Sequence, residues 1–265
     1  MKLLILSGSH PRHYFITSKI LPIFSKIKII CMQREELTPK FESLNDNLDK
    51  LVKHHFDKRN LKEEAVFGKL SYLDTEALDV QTISPASLNS NFVKDEIKSF
   101  NADIGVVCGT YILDSEFLGI LPKTSINIHL GLSPWYRGSA TLFWPNYFLE
   151  PWKTGITFHF LNKYADSGDI IHQCKGNLEE WMGVHDAAIS NIIKASEDLS
   201  DLVKFYKKNL FLNSKPQQFV GRSFLTKDFN PYHLKLIYEL FDDKVIKYLM
   251  DRFKFPEVKL VQPNI

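Results

Sequence analysis

Asn127 and His129 lie two residues apart in the sequence, and their side chains are of types that take part in catalysis. On a β-strand, residues two apart leave the same face of the sheet, so the amide and the imidazole would lie side by side. Acyl transfer needs both groups, because an amide donates a hydrogen bond to an oxygen that becomes negative and an imidazole moves protons. The triplet alone is more often found where a histidine packs in the core or lies at the surface. The residues that follow therefore decide its interpretation.

A glycine-bracketed loop and an acidic turn follow this triplet. The loop covers residues 131–140 and combines a proline, two aromatic residues and an arginine. The turn covers residues 162–171, follows an apolar run, and carries Asp166 and Asp169. A carboxylate beside His129 would orient its ring and stabilise its charged form. Either acid could complete a catalytic group on this reasoning.

Short apolar runs predict the sheet that would position these residues. Their ranges are 3–6, 27–32, 104–109, 125–129 and 155–160. Helical patterns at residues 15–23 and 93–100 lie between them. Strand, helix and strand within roughly 30 residues is the pattern of a βαβ unit in a parallel sheet. We therefore expect an α/β fold with an open, mostly parallel sheet.

Two segments differ from this pattern. Residues 34–70 are dense in charges of both signs and carry one apolar stripe at helical spacing, which predicts a charged helical insertion. After a long amphipathic helix at 184–207, further apolar patterns beyond residue 228 predict a helical C-terminal extension. We expect a catalytic domain over residues 1–210, including the insertion, and an extension over residues 211–265.

Composition excludes several classes of protein. The 265 residues include 33 Lys and Arg against 31 Asp and Glu, and a net charge of +2 argues against a nucleic-acid partner. No stretch approaches the roughly 20 apolar residues of a membrane span, and no signal peptide is recognisable. Cys31, Cys108 and Cys174 lie far apart, so buried thiols in a reducing cytoplasm are expected. We expect a cytoplasmic protein with neither a membrane partner nor a metal site.

The sequence resembles the folate-dependent formyltransferase family in an ordered set of motifs over residues 100–175. These are Cys108-Gly109-Thr110-Tyr111-Ile112-Leu113, Asn127-x-His129, Pro134-x-x-Arg137-Gly138, Thr154-Gly155-Ile156-Thr157 and Asp166-Ser167-Gly168-Asp169-Ile170. The resemblance implies the open, mostly parallel, Rossmann-like sheet of the formyltransferase fold. One departure is Ser133, where the family usually has a second leucine before the proline. That departure puts the shape of the acceptor site in question.

The resemblance also implies a formyl donor, 10-formyltetrahydrofolate, and an amine acceptor that attacks the formyl carbon directly. By position, Asn127 would hold the developing oxyanion, His129 would shuttle protons and Asp166 would tune His129, with Asp169 as the alternative acid. The folate would lie against seven residues, namely Cys108, Gly109, Thr110, Ile112, Leu113, Tyr164 and Ala165.

The family formylates several amines, and the rest of the chain indicates which one. A helical C-terminus and a small net charge argue against initiator tRNA, whose enzyme usually has a C-terminal β-barrel and a basic surface. The insertion and the extension fit poorly with the shorter glycinamide ribonucleotide enzyme. By elimination, the sequence favours a sugar N-formyltransferase acting on a nucleotide-linked dideoxy-aminosugar for surface polysaccharide, such as lipopolysaccharide, synthesis.

The candidate substrate contacts are Tyr136, Arg137 and His10, although Arg137 is also suited to supporting the loop. Three alternatives stay open at this point. The acceptor could be methionyl-tRNA or another amine, and the chain could be a non-catalytic module that binds formyl-folate. The apolar surface of the C-terminal helices could also be covered in a homodimer.

Overall fold

The computed structural model describes residues 1–33, 41, 45–68, 72 and 78–264. Its strands are β1 (Lys2–Gly8), β2 (Lys26–Met32), β3 (Asp79–Ile83), β4 (Ile104–Cys108), β5 (Ser125–His129), β6 (Tyr136–Gly138), β7 (Ile156–Phe160), β8 (Ile170–Cys174) and β9 (Arg222–Phe224). Seven of them form one sheet in the order β3-β2-β1-β4-β5-β7-β8. β1 to β5 are parallel, and β7 and β8 run antiparallel at one end. The predicted open, mostly parallel α/β sheet is confirmed.

The strands are continuous apolar runs because helices cover both faces of the sheet. In β4 every residue is buried, as is all of β1 after Lys2. Ser7, near the end of β1, lies opposite Cys108, the last residue of β4, so the two strands end at the same edge of the sheet. The loops after β1, β4 and β5 therefore meet at one edge, where ligands of open α/β sheets bind.

The main helices are α1 (Pro11–Ser18), α2 (Asp46–Phe67), α3 (Asn91–Phe100), α4 (Ser115–Ile120), α5 (Trp144–Tyr147) and α6 (Val184–Asn209). Side chains of Asn45, Ser90 and Asp114 cap α2, α3 and α4 by accepting a backbone N–H three residues on. α6 places its apolar face, including Ile192, against the sheet.

The segment predicted to be a charged insertion contains α2, whose buried stripe includes Leu48, Val52 and Phe56. Ion pairs join its polar side to the rest of the molecule, from Arg12 to Glu63 at 2.8 Å and from Lys58 to Asp243 at 2.8 Å. Residues 34–40, 42–44 and 69–70 of the predicted insertion lie outside the described residues. The helix itself agrees with the apolar stripe in the sequence.

The C-terminal region contains the expected short helices, α7 (His233–Lys235), which continues as a π-helix over Leu236–Leu240, and α8 (Val245–Met250). It also contains β9, which pairs in parallel with β6. Further on, the carbonyl of Val261 accepts a hydrogen bond from the backbone N–H of Gln173 in β8 at 2.8 Å. The N–H of Val261 donates to Oε1 of the same Gln173 at 3.1 Å. The region is therefore helical in part and extended where it contacts the sheet.

Two further expectations concern thiols and membrane spans. Cys31, Cys108 and Cys174 are buried, as predicted. Among the described residues, no helix has the length and apolar character needed to cross a lipid bilayer.

Candidate active site

β5 and β7 bring the candidate catalytic side chains onto one face of the sheet. In their antiparallel register Asn127 lies opposite His159, and His129 lies opposite Thr157. Opposite residues share a face, so these four side chains point away from Ile128, which belongs to the core under α6. The alternation in the sequence predicted this for Asn127 and His129. Their partners on β7 come from the tertiary structure.

His129 is held at both ring nitrogens. Its Nε2 lies 2.9 Å from the carbonyl oxygen of Tyr136, which can only accept, so Nε2 carries the proton. Its Nδ1 lies 3.3 Å from Oδ2 of Asp166. Burial lowers the pKa of His129 from its ordinary value of 6.5, although the Asp166 carboxylate opposes that shift. Asp166 would therefore stabilise the imidazolium that forms when Nδ1 takes a proton.

Asp166 is the acid beside His129. Its Oδ2 also accepts a hydrogen bond from the N–H of Gly138 at 2.9 Å. Burial raises the pKa of Asp166, but the neighbouring imidazoles and the Gly138 N–H outweigh it and hold the pKa far below its ordinary value of 3.8. Asp169, the alternative acid, is exposed, and its carbonyl oxygen accepts from the N–H of Phe160. The geometry therefore favours Asp166.

His159 joins the site without having been predicted from the sequence. Its Nδ1 donates to the carbonyl of Phe160 at 2.8 Å, so its Nε2 is an acceptor in the neutral ring. That Nε2 lies 2.9 Å from Nδ2 of Asn127. One N–H of the Asn127 amide is thereby bonded to the ring and the amide is oriented, which leaves its second N–H for a substrate oxygen. The sequence offered no signal for this role, because nothing in it placed β7 beside β5.

Thr157 holds the loop that follows β5. Its hydroxyl donates to the carbonyl of Gly131 at 2.8 Å and accepts from the N–H of Ser133 at 2.9 Å. A side chain at Gly131 has no room, because its Cβ would lie 2.4 Å from Nε2 of His129. The buried Oγ of Ser133 has no hydrogen-bond partner within the described part of the chain. The loop thus closes tightly over His129.

The predicted folate-binding residues divide into buried and exposed groups. Cys108 and Leu113 are buried, so they offer almost no surface to a ligand in this structure. Ile112 is 73% exposed and Tyr164 is 64% exposed, and Tyr111 beside them is 56% exposed. Gly109 has φ +68°, and its Cβ would lie 2.1 Å from the ring of His13. Thr110 and Ala165 lie at least partly exposed between these groups.

The predicted substrate contacts are more enclosed. Tyr136 is 1% exposed and its hydroxyl donates to Glu150 at 2.6 Å, so it has almost no surface to offer a ligand. Arg137 is half-buried, and its Nη2 donates to the carbonyl of Phe219 at 3.4 Å. His10 is buried with its ring edge-on to His13. Arg137 therefore supports the loop in this structure, as the sequence allowed.

Comparison with known proteins relates this chain to formyl transferases. A family model described as "Formyl transferase" matches residues 34–181, a stretch that contains β5, β7 and the Asp166 turn. A methionyl-tRNA formyltransferase of Desulforamulus reducens is 37% identical over 93 residues, which are 35% of this chain and 29% of that protein. The chain matches only about a third of the length of its curated relatives.

Solved structures match over more of the chain at low identity. An N-formyltransferase of Helicobacter canadensis, in complex with folinic acid and dTDP-3-aminofucose, has a TM-score of 0.57 at 14% identity, with 97% of this chain and 84% of that chain covered. A 4-N formyltransferase of Francisella tularensis has a TM-score of 0.56 at 17% identity, with 86% and 77% covered. A phosphoribosylglycinamide formyltransferase of Anaplasma phagocytophilum has a TM-score of 0.57 at 14% identity, with 84% and 98% covered.

These structural similarities show that the chain shares its fold with all three proteins. Because proteins that act on different amines have this fold, the fold alone does not identify the acceptor. The family model is more specific, because it matches more than half of the 265 residues and includes the Asn127, His129 and Asp166 positions. The chain therefore belongs to the formyl transferase family.

Proposed function

We propose that this protein transfers the formyl group of 10-formyltetrahydrofolate to the amine of a nucleotide-linked dideoxy-aminosugar. The observation that carries the proposal is the convergence of Asn127, His129 and Asp166 at the carboxyl end of the sheet. These groups supply a hydrogen-bond donor for a developing oxyanion and a base for the amine proton. An amine acceptor is itself a nucleophile, so this transfer requires no serine or cysteine nucleophile.

Asn127, His129 and Asp166 would each bind a proton or stabilise a charge that develops during formyl transfer. The acceptor nitrogen bonds to the formyl carbon, and the second N–H of Asn127 stabilises the negative charge that develops on the formyl oxygen. Nδ1 of His129 takes the proton that the nitrogen loses. Asp166 stabilises the resulting imidazolium, which can return the proton to the departing folate nitrogen. The products are the formamide of the sugar and tetrahydrofolate.

The donor site is proposed on the residues at the ends of β4 and β7. 10-Formyltetrahydrofolate supplies the formyl group and a flat aromatic ring system. Tyr111, Ile112 and Tyr164 expose apolar side chains there, which suits a flat, largely apolar ligand. The residues present thus fit a formyl-folate.

The choice of a sugar acceptor is supported by the extent of the structural match. The Helicobacter canadensis enzyme, solved with a nucleotide-linked aminosugar, is matched over 97% of this chain, including its C-terminal region. The phosphoribosylglycinamide formyltransferase of Anaplasma phagocytophilum is matched over less of this chain, 84%. A sugar product of this kind would enter surface polysaccharide synthesis in the cytoplasm, where folate and nucleotide sugars are both present.

A direct assay tests the proposal. Purified protein is given 10-formyltetrahydrofolate and, one at a time, dTDP- and UDP-linked 3-amino and 4-amino dideoxysugars, charged initiator methionyl-tRNA, and glycinamide ribonucleotide. We expect tetrahydrofolate release and a mass gain of one formyl group with an aminosugar. Formylation of methionyl-tRNA or glycinamide ribonucleotide in place of every sugar would contradict the acceptor assignment. Tight folate binding without transfer to any amine would favour a non-catalytic binding module.

A further inference from the structure

The segment from Lys215 to Phe224 crosses the candidate site on its way from α6 to the C-terminal helices. Lys215 exchanges backbone hydrogen bonds with Ile170 at the start of β8, at 2.7 and 2.9 Å. Arg222 then donates its N–H to the carbonyl of Trp135 at 3.0 Å. This segment therefore contacts both the turn that carries Asp166 and the loop that closes over His129.

Gln217 is the side chain of this segment that reaches the Asp166 turn. Its Nε2 donates to the carbonyl of Asp166 at 2.8 Å and to the carbonyl of Gly168 at 3.0 Å. Both hydrogens of the amide are thus used. Its Oε1 is buried and accepts no hydrogen bond from the residues that the structure describes. Only the donor half of the amide is used in this contact, which fits a side chain that bridges two carbonyls.

The turn needs such a bridge because of its backbone. Asp166 has φ +50°, in the left-handed region that residues with a side chain adopt reluctantly. Gly168 packs against the carbonyl of Phe160, where an added Cβ would lie at 1.7 Å. The Asp166 carboxylate points at His129 only while this conformation is kept. Gln217 bonds the carbonyl of Asp166 itself and the carbonyl of Gly168 two residues further on.

The same segment also positions the backbone N–H of Gly138, which donates to the Asp166 carboxylate. Phe224 accepts a hydrogen bond from the N–H of Ser139 at 2.8 Å, and Gly221 packs against Pro134, where a Cβ would lie 1.8 Å from the carbonyl. These contacts place Gly138, whose N–H donates to Oδ2 of Asp166 at 2.9 Å. One segment therefore positions both the backbone of Asp166 and the group its carboxylate binds.

We propose that Gln217 is a positioning residue that holds Asp166 against His129, and that the segment 215–224 is part of the active site. This inference rests on the role proposed above for Asp166. It also places part of the predicted extension, residues 211–265, within the catalytic unit.

The test uses the charge of His129 as its readout. Among the described residues, the charged or titratable groups that act on the His129 ring are Asp166, His159 and Arg137. Gln217 is neutral, so its replacement by the neutral Met changes the pKa of His129 only by moving its surroundings. Because the Asp166 carboxylate raises that pKa, its displacement lowers the pKa further. A residue that merely stabilised the fold would leave the titration of His129 unchanged in the folded protein.

The experiment compares Gln217→Met with Gln218→Met in the full chain. Gln218 is exposed and adjacent, so its variant is the matched control. We expect Gln217→Met to lower kcat on the order of 10- to 100-fold with KM nearly unchanged, since small misplacements of catalytic groups have effects of that size. We expect the His129 imidazole, assigned by comparison with His129→Asn and titrated by NMR, to show a lower pKa. Gln218→Met should match the wild type in both measurements.

Equal kcat and equal His129 titration in the two variants would overturn the proposal. So would equal losses in both, because these would indicate a general effect on the segment. If Gln217→Met does not fold, Gln217→Ala is put to the same comparison. The NMR titration needs no acceptor, so it decides the role of Gln217 even if the wild-type protein formylates no amine and the proposed function fails.

Discussion

Among the described residues, two histidine–aspartate pairs invite comparison, and only one of them lies beside the other side chains proposed to act in catalysis. His129 and Asp166 are 3.3 Å apart at the carboxyl end of the sheet. His172 of β8 and Asp198 of α6 are closer, at 2.7 Å. Asp198 also binds Lys194 at 2.6 Å, so its charge is balanced by a permanent cation. The tighter pair is thus the more completely neutralised one.

The difference lies in what surrounds each pair. Asp166 faces two imidazoles and a backbone N–H, and Asn127 lies within the same group of side chains. His172 lies next to Phe158, and within the described residues its buried Nδ1 has no hydrogen-bond partner. A strong buried pair is therefore no mark of an active site by itself. The base needs an amide donor at its side and an approach for the substrate.

His129→Asn should have the largest effect on activity. Removing the base should lower kcat on the order of a thousandfold, because general base catalysis contributes at that scale. The protein should remain folded, since asparagine keeps a polar side chain at a site closed by loop contacts. Formyl transfer kinetics and thermal unfolding measure the two effects. A variant with full activity, or one that unfolds, would assign His129 to structure, as we assign His172.

Asn127→Ala should lower kcat by about 100- to 1,000-fold, the usual loss when one oxyanion donor is removed. KM should change little, because the hydrogen bond strengthens only as charge develops on the formyl oxygen. Steady-state kinetics with varied donor and acceptor separate the two constants. A rise in KM at constant kcat would show that Asn127 binds the ground state instead.

Asp166→Asn should lower kcat by about a hundredfold, with Asp169→Asn as the matched control. In the wild type, burial places the pKa of His129 below 6.5, so activity should fall only as the pH drops below that value. Loss of the Asp166 carboxylate should move this acid limb to still lower pH. The pH dependence of kcat/KM measures the shift. A larger loss in Asp169→Asn would reverse the assignment of the two acids.

His159→Ala should lower kcat by about tenfold, because Asn127 keeps its side chain but loses the acceptor that orients it. The effect should vanish when Asn127 is already alanine. Comparing the single variants with the double variant measures this coupling. Additive losses would mean that His159 acts independently of Asn127.

His172→Gln should leave activity within about twofold of the wild type while lowering stability by about 1 to 3 kcal/mol, the range for disrupting a buried hydrogen bond. Burial raises the pKa of Asp198, but hydrogen bonds from His172 and Lys194 lower it below 3.8 overall. The stabilisation by Asp198 is therefore present above that value and lost as the pH falls through the folded pKa. Urea unfolding at pH 7 and at pH values below 3.8 tests this. A large loss of activity would remove the distinction between the two pairs.

Most of the sheet could be predicted because its strands are continuous apolar runs. β3 and β8 were missed, since Asp79–Ile83 and Ile170–Cys174 mix polar residues such as Gln81, His172 and Gln173 with apolar ones. β9 was missed because Arg222–Phe224 is short and becomes a strand only by pairing with β6. Hydrophobic patterning identifies a strand by its run of apolar residues, and none of these three strands is such a run.

The sequence by itself determined the family motifs, the shared face of Asn127 and His129, and the presence of acids in the turn after β7. Those features depend on residue types and on spacings of a few residues, which local backbone geometry converts directly into positions. Only the tertiary structure decided that His159 orients Asn127 across 32 residues, and that Gln217 reaches Asp166 across 51. Such contacts depend on which strands and segments become neighbours. That choice is made by the packing of the whole chain, and no local pattern in the sequence contains it.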